Sequence, residues 1–270
     1  MLIEKNFTYF FNSSTASGAL NKSVDGSRFT VQLYSPIGFS QSTKYVSVSV
    51  IQADVWNNGF NISTARANNV WSFEQFDGAT TNVFSSNIPD GQYTVNALQA
   101  FITLQLINVG FVGDEITITG DSSTSKIILY VKENFLVNFT IPNSVRGILG
   151  FNSQLVPPVF NAVSPTYQYA DETANFNYIT GYQIKSSLVN DGIKTNALGN
   201  SIIAVIPINV APNSQIIYTP QNPLEIDLSE LIGSNVQFIN FELLNQDGET
   251  IGTNGEDYTC TCRFRYWVDV

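Results

Sequence analysis

Apolar and polar residues alternate with a period of two along most of the chain, the pattern of strands half buried against a core. In residues 28–34, Phe29, Val31 and Leu33 share one face. Residues 44–56 form a longer run that changes phase. Val46, Val48 and Val50 make its first apolar set, with Ser47 and Ser49 opposite, and Ile51, Ala53 and Val55 then continue from the other parity. A flip of parity inside one strand predicts a β-bulge, an extra residue that re-aims the side chains after it. Further strands are predicted at 70–76, 115–119, 126–132, 135–140, 182–188, 201–208, 215–219, 236–244 and 258–268. In the last of these, Cys260, Cys262, Phe264, Tyr266 and Val268 fall on a core face. Thr259, Thr261, Arg263, Arg265 and Trp267 face solvent or a partner.

One interval has a different period. Val95, Leu98, Ile102, Leu106 and Val109 recur at helical spacing. Thr94 is placed to cap the free N–H groups at the start, and Gly110 to take the left-handed position after the end. Pro89, Asp90 and Gly91 before it predict a turn. A short helix is predicted over 143–149 and a helical turn from Ser229. Residues 152–177, with Pro157, Pro158 and Pro165, read as an irregular insertion of the kind that is functional or packs on a partner. About ten short strands with one inserted helix define an all-β chain, two antiparallel sheets in a Greek-key sandwich. The expected architecture is a single jelly-roll over 1–270 with a short inserted helix and an irregular insertion around 152–177.

The chain has 270 residues, room for a core that needs neither disulfides nor metals. Its formal net charge is −10 with only 12 Lys and Arg, and these form no patch. That excludes the basic footprint needed to displace counterions from nucleic acid, and weighs against docking on an anionic membrane. The longest apolar region, 97–112, is interrupted by Gln99, Thr103, Gln105 and Asn108, so no membrane insertion is expected. Residues 1–11 are too short and too polar an apolar stretch for a signal peptide, so synthesis inside the cell is expected. Cys260 and Cys262 read as buried free thiols. The sequons at Asn6, Asn12, Asn21, Asn61 and Asn138 reflect an Asn-rich composition.

The chain contains no His. That removes imidazole-dependent nucleophilic catalysis and His-based zinc and iron sites. A glycosidase would need only two facing carboxylates, and Asp54, Glu74 and Glu115 are candidates that the sequence does not pair. Residues 120–126 lack the second glycine of a phosphate-binding loop and predict a hairpin turn. The acidic pairs around 114–115, 247–249 and 256–257 read as solvated turns, since no calcium-binding spacing is present. No enzyme activity, catalytic residue, cofactor or metal is expected.

Three colinear segments carry a resemblance. The first is Pro89, Asp90 and Gly91 leading into the amphipathic helix. The second is the strand pair from 127 onward that closes on Leu149, Gly150 and Phe151. The third runs from 223 through Asp247 and Gly248, then Gly255 and Glu256, to the terminal strand. Together they resemble the penton-type minor capsid proteins of virophages and Polinton-like viruses. The resemblance covers about two-thirds of the chain, from residue 85 onward. It implies a structural protein of the virion, five copies forming a vertex, with itself and the major capsid protein as partners. Arg263, Arg265 and Trp267 would then be interface residues, the alternative for the arginines being a solvated strand face. A second reading is a carbohydrate- or receptor-binding jelly roll, such as a fibre head or lectin-like module, whose sites stack aromatics on sugars.

Overall fold

The computed structural model describes residues 1–190, 192–193 and 201–269. Strands β1 (Leu2–Asn12), β2 (Ala19–Leu20), β3 (Arg28–Gly38) and β4 (Thr43–Trp56) come first. The next stretch holds β5 (Val70–Phe76), β6 (Thr81–Asn87), α1 (Val95–Asn108), β7 (Ile116–Asp121), β8 (Lys126–Val131) and β9 (Phe135–Asn138), then α2 (Arg146–Leu149), β10 (Leu155–Val156) and β11 (Thr166–Tyr169). Last come β12 (Gly181–Ser186), β13 (Ile202–Pro207), β14 (Gln215–Tyr218), β15 (Ile226–Asp227), β16 (Asn235–Asn245) and β17 (Thr259–Asp269). These elements divide into two units. The first joins Met1–Gly59 to Ile179–Val270, and the second is Phe60–Tyr178.

The first unit has two antiparallel sheets, β1-β17-β4-β14 with β15 also on β4, and β13-β12-β16-β3-β2. Without the two-residue strands β2 and β15, its strands pair as nested hairpins: first with last (β1 and β17), second with seventh (β3 and β16), third with sixth (β4 and β14), fourth with fifth (β12 and β13). One long antiparallel ribbon rolled into two sheets is the jelly-roll topology. The expected fold is therefore present, and the chain between its third and fourth strands is the whole second unit.

The parity flip in β4 is a bulge. Thr261 pairs with Gln52 while Cys262 pairs with Val50, so Ile51 has no opposite number on β17. Val46, Val48 and Val50 before it, and Ala53 and Val55 after it, are all buried. They meet Phe11 from β1 and Cys260, Cys262 and Phe264 from β17, all in one cluster with Phe29, Tyr182, Ile184, Phe241 and Leu243 of the other sheet. Phe241 links the layers, with ring centroids 4.8 Å from Phe11 and 5.1 Å from Phe29. Each such ring contributes about 1.5–3 kcal/mol by leaving water.

Strand β1 is absent from the sequence-based prediction. Phe7, Tyr9, Phe10 and Phe11 break a period of two, because Phe10 stands outward while Phe11 is in the core. The cysteine thiols are free and buried, with sulfurs 3.6 Å apart.

The second unit has sheets β10-β9-β5-β6 and β11-β8-β7. Helix α1 presents Leu98, Ile102 and Leu106 to a core that includes Trp71, Phe73, Ile118, Leu129, Phe139 and Leu149. Thr94 caps it, accepting from the Ala97 N–H at 3.2 Å, and Gly110 takes φ +97°. The turn predicted at 120–126 is a hairpin between β7 and β8, closed by Ser125 N–H donating to Asp121 O at 2.8 Å. Residues 152–177, predicted as irregular throughout, contain β10 and β11. The short helix predicted over 143–149 is confined to α2.

Candidate interaction surface

The outward face of the sheet β1-β17-β4 carries the residues singled out on the terminal strand. Alternation sends Cys260, Cys262 and Phe264 inward, so Thr261, Arg263, Arg265 and Trp267 stand on the other side. Trp267 packs on Tyr45 of β4 with ring centroids 5.0 Å apart. The Arg265 guanidinium is 5.7 Å from the Trp267 ring, and it pairs with Glu4 at 2.7 Å and with Glu225. Arg265 is thus neutralised within its own chain. Exposed pairs of this kind add little stability, about 0–1 kcal/mol; these two link β1, β17 and the residue before β15.

Arg263 is different. It sits in register between Thr8 on β1 and Ser49 on β4. Among the described residues its buried Nε has no hydrogen-bond partner, and the buried Ser49 Oγ has none either. Two orphan polar atoms on directly paired residues are unusual, since buried polar groups are nearly always satisfied. Beside them Phe10, paired with Thr261, leaves 62% of its surface in water. The sequence pointed to the arginines through strand alternation alone. It could not reveal Ser49, Glu4, Tyr45 or Glu225, because only the register brings them to this face.

The positions that carry the sequence resemblance are turn and packing residues. Asp90 accepts from the Thr64 N–H at 2.7 Å and hydroxyl at 3.0 Å, and Pro89 O accepts from the Tyr93 hydroxyl at 3.0 Å. Gly91 bridges to Ile62. Leu149 and Phe151 are core, Phe151 stacking on Phe139 at 4.9 Å. Gly150 caps α2 at φ +80°. Asp247 and Gly248 turn the chain around Asn245, whose Oδ1 accepts from the Asp247 and Glu249 N–H groups at 2.9 Å each. Gly255 takes φ +85°, and Glu256 N–H donates to Thr253 O at 3.0 Å. Asn61, first residue of a sequon, is buried and uses its amide on Tyr93 N–H, Tyr93 O and Phe176 O, each at 2.8 Å. That sequon is structural.

The three carboxylates weighed for glycoside chemistry each serve a local bond. Asp54 accepts from Thr259 at 3.0 Å and Glu74 from Asn138 at 2.8 Å. Glu115 accepts from the Val112 and Gly113 N–H groups at 2.9 and 2.8 Å. Among the described residues no group of three or more metal-ligating side chains is placed to hold an ion. Among the described residues no helix is long and apolar enough to cross a membrane.

Burial pushes the Glu115 carboxyl up, and the Val112, Gly113 and Glu115 N–H groups together with the Lys132 charge more than offset it, holding it below its ordinary value of 4.5. A depressed folded-state value contributes stability that is present above the unfolded value and is lost as pH falls through the folded one. Glu115→Gln is therefore expected to be less stable than wild type near neutrality, with the gap narrowing as pH falls below 4.5. Urea midpoints of the two proteins across pH measure it, and a constant gap would refute it.

A nested eight-strand ribbon of this kind builds capsid and lectin domains alike. No protein-family model matches the sequence, and no curated protein matches it. Among solved structures the chain is similar to the mavirus penton protein. The match covers 98% of this chain and 99% of that one, with a TM-score of 0.46 and 12% identity. It is also similar to a chain of the Sputnik virophage solved by cryo-electron microscopy, over 97% of each chain, with a TM-score of 0.40 and 12% identity.

Proposed function

We propose that the chain is a structural capsid protein of an icosahedral particle, and that five copies close into a ring at its vertices. Both units belong to one subunit in this reading, and the virion is where the protein acts. The observation that carries it is the orphan pair Arg263 and Ser49 on the outward face of a jelly-roll sheet. A guanidinium half withdrawn from water without a carboxylate costs free energy unless a partner supplies one. The chain holds 22 Asp and Glu against 12 Lys and Arg, so a second copy brings carboxylates in excess. Phe10 beside the cation, and Trp267 with Tyr45 further along the same face, are residue types that anchor interfaces. A contact between unlike faces of successive copies closes into a ring when the rotation allows. The major capsid protein is the second partner, holding the ring in its shell.

Light scattering over a concentration series tests this. The expected particle has about five times the 29.7 kDa chain mass, alone or once the major capsid protein is added. Arg263→Glu is expected to shift that population to monomer with an unchanged melting curve, because the Arg263 Nε has no hydrogen-bond partner to lose among the described residues. A trimer, or an Arg263→Glu protein that assembles like wild type, would overturn the reading.

A further inference from the structure

The second unit carries an aromatic face that the fold leaves uncovered among the described residues. Strands β7, β8 and β11 alternate strictly. Ile116, Ile118, Ile127, Leu129 and Val131 point into the core. Their neighbours point out, and the register assembles them into two rows. Tyr130 pairs with Thr117 on one side and with Tyr167 on the other. Ile128 pairs with Thr119 on one side and with Tyr169 on the other. Directly paired residues share a face, so the surface reads Thr, Tyr, Tyr in one row and Thr, Ile, Tyr in the next. The Tyr130 and Tyr167 rings lie 5.0 Å apart at 57°. Tyr167 keeps 69% and Tyr169 53% of its surface in water. From the sequence the tyrosines of residues 152–177 form no cluster. The third ring comes from β8, and only the pairing of β11 on β8 brings it alongside.

Exposed aromatic patches mark binding sites. We infer that this face is a carbohydrate-binding platform that takes a neutral oligosaccharide across Tyr130, Tyr167 and Tyr169. A pyranose ring presents an apolar C–H face that fits an aromatic ring, and a rim of hydroxyls that fits Thr117, Thr119 and the tyrosine hydroxyls. Tyr167 and Tyr169 are two residues apart on one strand, about 7 Å, so each can take its own sugar ring. None of the six side chains carries a formal charge at neutral pH. The charges that act on Tyr130 are Glu133, Asp114 and Lys132, two acids against one base, which disfavours acidic sugars. A charged peptide or a nucleic acid would find no counter-ion on these rows.

The test uses the full chain on an array of neutral and acidic oligosaccharides, then calorimetric titration with the best-bound neutral one. Tyr167→Ala and Tyr169→Ala are each expected to weaken binding about tenfold, and Tyr167→Phe, which keeps the ring, by about threefold at most. Both positions are exposed, so the melting curves should coincide with wild type. Arg263→Glu should leave sugar binding unchanged, which separates this face from the proposed ring contact. A wild-type chain that binds no glycan at millimolar concentration overturns the inference, as do alanine variants that bind like wild type. Loss of solution mass in Tyr167→Ala without any glycan binding would assign the face to a protein contact instead.

Discussion

Phe264→Ala is expected to lose about 3–5 kcal/mol of unfolding free energy, the range for deleting a fully buried ring. Phe264 has no exposed surface. It stacks on Phe7 at 5.0 Å and meets Tyr9 edge-on at 6.1 Å, both from β1, and it pairs with Val48 on β4. Its strand lies between those two neighbours. A cavity there removes contacts from both sides and from the sheet opposite, and a packed sandwich closes around such a void only in part. Against a total stability of about 5–15 kcal/mol, one such change consumes a large share. Phe264→Leu keeps most of the volume and should cost less than half as much. Urea unfolding of the two variants measures the ratio. A loss below about 1 kcal/mol for the alanine would mean the first unit collapses around the void, contrary to the packing described.

Gly150→Ala is the second large effect, and its cause is backbone rather than volume. Gly150 sits at φ +80° after α2, where an L side chain is strained by about 1 kcal/mol. A Cβ there would also lie 2.4 Å from Glu172 O and 2.9 Å from Glu172 C. Neither atom can swing away, because Glu172 N–H donates to Gly150 O at 2.9 Å and holds the two segments together. Strain and clash together are expected to cost about 3 kcal/mol or more and to loosen Leu149 and Phe151 on either side. Two glycines serve as controls. Gly110 has φ +97° but open space around its missing Cβ, so Gly110→Ala meets only the conformational penalty. Gly147 lies inside α2 with open space and an ordinary φ, so alanine there should be neutral or slightly stabilising. Denaturant midpoints ranked Gly150, then Gly110, then Gly147 confirm the account. Equal losses at Gly150 and Gly110 would show that the close approach to Glu172 contributes nothing.

What could be read in the sequence followed from periodicity. The alternation of Cys260, Cys262 and Phe264 marked the core face of β17, and the parity flip after Val50 marked the bulge at Ile51. The helix from Thr94 to Gly110 was visible because its caps and its stripe agreed. Strands whose two faces differ little were not visible. Residues 81–87 carry one core-packed ring, Phe84, next to an outward Val83 and otherwise polar residues, and β1 hides its alternation behind an outward Phe10. Pairing was equally out of reach. Nothing in the order of residues says that Ser49 stands beside Arg263, that Glu4 and Glu225 converge on Arg265, or that Tyr130 lies beside Tyr167. Those relations come from register, which sums the whole sheet, so the candidate site was legible one strand at a time and its chemistry was not.

The nested pairing of the first unit also sets the order in which the chain can acquire structure. Residues 60–178 are contiguous and hold their own core, so they can complete their sheets as soon as they leave the ribosome. The strands on either side cannot. β1 pairs with β17, more than two hundred residues later, and β4 waits for β14, β15 and β17. Closing loops of that length before any contact repays them makes folding slow and leaves unpaired edges open meanwhile. Nascent chains would therefore pass through a stage with a finished middle and two waiting flanks, and the arrival of β17 would be the event that turns an aggregation-prone intermediate into a subunit.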